Sequence, residues 1–110
     1  MSQITTHVLD AALGTPARGV TVALQQRTNE GWSAVGKGET DVDGRIPALG
    51  PDVVEPGVYR LIFATGDYFE ADGRDTFYPE VMIAFQITSQ EHYHVPLLLS
   101  PFAYSTYRGS

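Results

Sequence analysis

Three histidines, one arginine in a turn, and an aromatic, basic closing segment are the residues with chemistry to offer in this chain. His92 and His94 stand two apart in an extended segment, so both imidazoles leave the same face of a sheet. A His-x-His pair on a strand offers either two zinc ligands or a general base held by a neighbour. His7 lies in the strand-like run Thr5-Thr6-His7-Val8-Leu9-Asp10. A lone histidine is more often a hydrogen-bonded surface or core residue, and the pair shifts that balance.

Arg45 follows the turn Asp41-Val42-Asp43-Gly44. It reads either as a solvated turn residue pairing with Asp43, which contributes little, or as a guanidinium that orients a planar substrate through two parallel hydrogen bonds. Spacing alone favours the first. Asp41 and Asp43 read as turn-forming rather than as a titrating pair. Arg18, Arg27, Arg60 and Arg74 have no partner pattern and read as surface charge. The segment Tyr107-Arg108-Gly109-Ser110 brings together a phenol, a guanidinium, a flexible backbone position and a serine with its α-carboxylate. Those groups suit recognition of a small polar ligand better than they suit a frayed end.

Other chemistries lack their residues. With no cysteine, disulfides, thiolate catalysis and Cys-ligated zinc are excluded. No phosphate-cradling glycine loop, Gly-x-Ser-x-Gly elbow or dinucleotide fingerprint occurs. A net charge of −6 argues against nucleic acid, which needs a basic face. An anionic small molecule remains compatible, because a few arginines in a cleft reverse the field locally. No apolar run approaches the roughly 20 residues of a membrane span, and Met1 to His7 does not read as a signal peptide. The expected location is the cytoplasm of a bacterium, or an organelle matrix in a eukaryote.

The elements that must position these groups are strands. Val20, Val22 and Leu24 alternate with polar or small residues, as do Val81, Ile83, Phe85 and Ile87. Further strands are expected at Ile4 to Asp10, Trp32 to Glu39, Val58 to Thr65, His92 to Leu99 and Ala103 to Tyr107. Asn29-Glu30-Gly31 reads as a hairpin loop in which glycine supplies a positive φ. Only Asp67 to Asp72 looks helical. Regular strands with one short helix predict an all-β sandwich forming a single domain over residues 1–110.

Three phrases resemble the transthyretin-like family. They are His7-Val8-Leu9-Asp10 with Gly14-Thr15-Pro16-Ala17 and Val20-Thr21-Val22, then Thr40-Asp41-Val42-Asp43-Gly44-Arg45, and finally Tyr93-His94-Val95-Pro96-Leu97-Leu98-Leu99-Ser100-Pro101 running on to Tyr107-Arg108-Gly109-Ser110. His7, Arg45, His94 and the closing tetrapeptide together resemble the family's purine-degrading enzyme branch rather than its hormone carriers. The resemblance implies a transthyretin-like (prealbumin) sandwich of two four-stranded sheets with one short helix. It further implies a homotetramer built as a dimer of dimers, with active sites where the dimers face each other.

The activity implied is hydrolysis of 5-hydroxyisourate to 2-oxo-4-hydroxy-4-carboxy-5-ureidoimidazoline, in urate degradation to allantoin, with no cofactor. In that scheme His7 and His94 hold and deprotonate water, and Arg45 stabilises the oxyanion. Tyr107, Arg108 and Ser110 then contact substrate, and His92 either orients His94 or lies at the channel mouth. Two rivals stand beside it: a zinc-dependent cyclic-amide hydrolase using the three histidines, and a transthyretin-like carrier of a small aromatic ligand without chemistry.

Overall fold

The computed structural model describes residues 2–110. Eight strands and one helix follow one another as β1 (Ile4–Asp10), β2 (Thr15–Pro16), β3 (Thr21–Thr28), β4 (Gly31–Glu39), β5 (Gly57–Phe63), α1 (Thr65–Ala71), β6 (Val81–Ile87), β7 (Tyr93–Ser100) and β8 (Ala103–Thr106). They form two four-stranded sheets, ordered β2-β1-β7-β8 and β4-β3-β5-β6. This is the sandwich that the sequence predicts, with its single short helix. The pairing of β1 with β7 is parallel and the other pairings are antiparallel.

Period-two alternation decides which side chains fill the space between the sheets. Ile4 and Val8 of β1 point inward, as do Val22 and Leu24 of β3, Leu61 and Phe63 of β5, and Val95, Leu97 and Leu99 of β7; all are buried. Each such apolar side chain withdrawn from water contributes about 1.5–3 kcal/mol before entropy is counted. The inward set on β1 and β7 leaves Thr5, His7 and His94 on the opposite, outer face of their sheet. That single consequence of strand geometry places the site.

The boundaries differ modestly from those expected. Thr15–Pro16 forms the two-residue edge strand β2, paired to Leu9 and Asp10, a strand that the sequence does not predict. Proline is tolerated there because an edge strand has a side with no ladder to complete. The strand expected to run to Thr65 stops at Phe63, and the helix begins at Thr65.

Two arginines are not plain surface charge. Arg74 Nη2 donates to Asp10 Oδ2 at 2.7 Å, and Tyr68 Oη donates to the same oxygen at 2.8 Å. Asp10 is fully buried. Burial alone would raise its pKa, but hydrogen bonds from Arg74, the Leu13 amide and Tyr68, with the Arg74 charge, hold it below 3.8. Burial first, then the hydrogen bond to Asp10 and its negative charge, push the Tyr68 phenol up to about 12, with Arg74 acting in the opposite sense. Helix α1, which has no side-chain cap at Ala64, is thereby fastened to β1 through Tyr68 and through Arg74, three residues past its end. Arg60 lies 4.1 Å from the centre of the Trp32 ring, with its Nε donating to Gln25. Sequence spacing conceals both pairings because the partners are brought together by the sheet register.

Candidate active site

The site begins with the parallel register of β1 and β7, which sets Thr5 opposite His94 and His7 opposite Pro96. Thr5, His7 and His94 project from one face, and His92 precedes β7 on that same side. The His92 and His94 rings lie nearly parallel, with centroids 6.3 Å apart. Between them stands the Thr5 hydroxyl, 2.8 Å from His92 Nε2 and 2.8 Å from His94 Nδ1. The segment that carries His92 is anchored from beneath by the buried Gln3, whose amide donates to the carbonyls of Ser89 and Glu91.

Arg45 arrives from the turn between β4 and β5. Thr40 fixes the entry to that turn, its buried hydroxyl donating to the Ala17 carbonyl and accepting from the Val20 amide. Asp41 Oδ1 then accepts from the amides of Asp43 and Arg45, which closes the turn. Asp41 therefore does the turn-forming work expected of the pair, while Asp43 takes part through its backbone. Gly44 has φ +76°, and a Cβ there would come within 2.4 Å of the Val8 carbonyl oxygen. This close approach lets Arg45 bridge to His7 beside β1. Among the described residues Arg45 makes no ion pair with Asp43 or any other carboxylate.

Protonation follows from these contacts. His7 Nε2 lies 2.8 Å from the Asp43 carbonyl oxygen, which can only accept, so Nε2 is the donor and the neutral tautomer compatible with this contact has its hydrogen there. Burial, then the charge of Arg45 and the nearby His92 and His7, lowers the His94 pKa below the usual 6.5. His94 is accordingly neutral at pH 7 and able to take a proton.

A cavity of about 370 Å³ opens over this face, within the range of about 300–1,000 Å³ usual for small-molecule sites. Thr5, Arg45, His92, His94 and Ser110 line it, with Ile46 and Pro47 forming an apolar wall. Tyr107 and Arg108 line a neighbouring groove of about 350 Å³ instead, with Tyr93, Ile83 and Phe85. His94 borders both spaces. Arg108 pairs with Glu91 and lies 4.5 Å over the Tyr93 ring. His7 sits behind Arg45 rather than on the wall of the first cavity. Sequence reasoning passes over Thr5 and Glu91. Thr5 carried one usable signal, its position two residues before His7 and hence on the same face.

Among the described residues no three histidine, cysteine or carboxylate side chains converge with the geometry of a metal site. His92 and His94 turn their facing nitrogens to a hydroxyl.

Residues 4–109 match the family described as HIUase/Transthyretin. The chain belongs to that family. A 5-hydroxyisourate hydrolase of Salmonella typhimurium is 53% identical over 109 residues, covering 97% of this chain and 80% of the relative. The solved 5-hydroxyisourate hydrolase of Klebsiella pneumoniae superposes with a TM-score of 0.88 at 37% identity, covering 100% of this chain and 94% of that one. Sea bream transthyretin, solved with thyroxine, superposes with a TM-score of 0.92 at 34% identity, covering 97% and 94%. Both kinds of family member thus share the sandwich, and the fold does not separate hydrolase from carrier. No helix among the described residues is long and apolar enough to cross a membrane.

Proposed function

We propose that this chain is a hydrolase that opens the cyclic amide of 5-hydroxyisourate with water, yielding 2-oxo-4-hydroxy-4-carboxy-5-ureidoimidazoline on the route from urate to allantoin. The observation that carries the reading is the neutral His94 facing the unpaired Arg45 across one small-molecule cavity. A carrier of an apolar hormone has no use for that combination. The hydrolase relatives, similar over nearly the whole chain, support the same substrate.

In this reading water attacks the amide carbonyl carbon as His94 takes its proton. The carbonyl oxygen becomes an oxyanion, and Arg45 stabilises it by charge and hydrogen bonds. Collapse of the tetrahedral centre breaks the carbon–nitrogen bond, and the protonated imidazole returns a proton to the departing nitrogen. His7 offers its bare Nδ1 beside Arg45 and helps to hold the water. Ser110 supplies polar contacts to the substrate within the cavity, and His92 forms its outer side. Tyr107 and Arg108 reach substrate from the adjoining groove across His94.

We further propose a homotetramer, a dimer of dimers, with the sites at the face between dimers. In support, β6 and β8 each end a sheet with one unpaired side, and Tyr104, Phe102 and Met82 are exposed there or close by. Light scattering coupled to size exclusion tests that assembly.

The test of function is turnover of freshly generated 5-hydroxyisourate, followed as loss of its ultraviolet absorbance against uncatalysed decay. Acceleration that survives a chelator supports the reading. Binding without acceleration favours a carrier, and loss of activity with stoichiometric zinc favours the metal hydrolase.

A further inference from the structure

One hydroxyl, that of Thr5, touches the imidazoles of both His92 and His94, and no other side-chain hydroxyl among the described residues bonds either ring. A threonine hydroxyl has a single hydrogen to donate and two lone pairs. It cannot donate to His92 Nε2 and His94 Nδ1 at once, so at least one ring must donate to it. The two rings are therefore not free to choose their tautomers independently. If His94 Nδ1 accepts, its hydrogen sits on Nε2 and the nitrogen on the far side of the ring is a donor. If His94 Nδ1 donates, Nε2 is left bare, and the hydroxyl's own hydrogen is available to the exposed His92.

We propose that Thr5 is a positioning residue that holds His94 in the tautomer with hydrogen on Nδ1, leaving Nε2 as the proton-accepting nitrogen of the site. The inference deepens the hydrolase reading and rests on it for the role of His94, although the tautomer is a property of the resting protein. The sheet itself enforces the contact. The parallel register puts Thr5 directly opposite His94, and Thr6, facing inward, bonds the Val95 carbonyl and locks that register. His92 completes the arrangement from the loop that Gln3 anchors. Thr5 acts through His94, whose Nδ1 it bonds.

Thr5→Val removes the hydroxyl while keeping a β-branched side chain suited to a strand, and Thr5→Ser retains the hydroxyl. Nitrogen NMR of the ¹⁵N-labelled imidazoles, without substrate, is expected to find His94 protonated on Nδ1 in the unmodified protein and in Thr5→Ser. Thr5→Val should shift it toward the Nε2-protonated form. In turnover, Thr5→Val is expected to lower kcat about five- to tenfold, the scale of one lost hydrogen bond, with KM within about twofold and Thr5→Ser restoring the rate. His94 protonated on Nε2 in the unmodified protein, or Thr5→Val with unchanged tautomer and kcat, would overturn the proposal. Failure of the unmodified protein to turn over 5-hydroxyisourate would instead strike the hydrolase reading, and the NMR result would still judge Thr5.

Discussion

Gly109 lies against the imidazole of His94, so closely that a Cβ on it would come within 2.6 Å of His94 Cδ2 and 3.2 Å of Pro96 Cγ. The Gly109 amide also donates to the His94 carbonyl at 2.8 Å. The segment after β8 therefore runs back across β7 and forms one wall for the ring. Glycine is required there by space, not by conformation.

Gly109→Ala is expected to displace the His94 ring and lower kcat by about tenfold or more, since small misplacements of a reacting group are costly. Thermal stability should change little, because the neighbouring tail is exposed. Steady-state kinetics beside a melting curve checks both halves. Unchanged kcat would show that the ring accommodates the methyl group.

His94→Ala should lower kcat by about 10²–10⁴, the usual contribution of a general base. The acid limb of the pH–rate profile should lie below 6.5, because the lowered His94 pKa keeps the working, neutral form down to lower pH. The stability consequence has the opposite sense. Between the lowered value and 6.5 the unfolded chain binds more protons at this position, so His94 detracts from stability as pH falls through that window and is neutral above it. A profile whose acid limb lies above 6.5 contradicts this.

Arg74→Met should destabilise the fold by about 2–3 kcal/mol. Breaking a wholly buried pair costs about 3–5 kcal/mol; the Arg74 side chain is 22% exposed, and the Tyr68 and Leu13 bonds to Asp10 survive. Asp10 has a lowered pKa, so its contribution is complete above 3.8 and is lost as pH falls through the folded-state value. The variant should therefore unfold in acid at a higher pH than the unmodified protein. Urea titrations at neutral and acid pH measure both effects, and kcat should hold because the pair lies on the far side of β1 from the histidines.

Glu91→Gln should leave the urea midpoint unchanged, since its pair with Arg108 is exposed on both sides. If Arg108 contacts substrate, losing that tether should raise KM a few-fold and leave kcat near its original value. An unaltered KM would assign Arg108 to the tail's own packing over Tyr93.

Much of this was legible in the sequence, and the reasons are physical. Alternation at Val20, Val22 and Leu24 or at Val81 to Ile87 reports burial on one sheet face directly. His92 and His94 share a face because strand side chains have a period of two. What the sequence conceals is register. Nothing local sets Thr5 beside His94, sends Arg74 to Asp10, or lays Arg60 on Trp32; each contact joins segments that only the sheets bring together. Tyr107 and Arg108, read as neighbours of Ser110, line a different groove because the tail crosses His94 between them.

The parallel pairing of β1 with β7 has a consequence for how the molecule comes into being. Thr5 and His94 are separated by 89 residues, yet they are direct partners in the sheet. During synthesis β1 must wait, with the ladder groups that face β7 unpaired, until β7 appears. Such distant pairings close slowly, because loop entropy is spent before the contact rewards it. The histidine face is thus among the last parts of the chain to form, and an incomplete chain carries an exposed strand in place of a half-built catalyst.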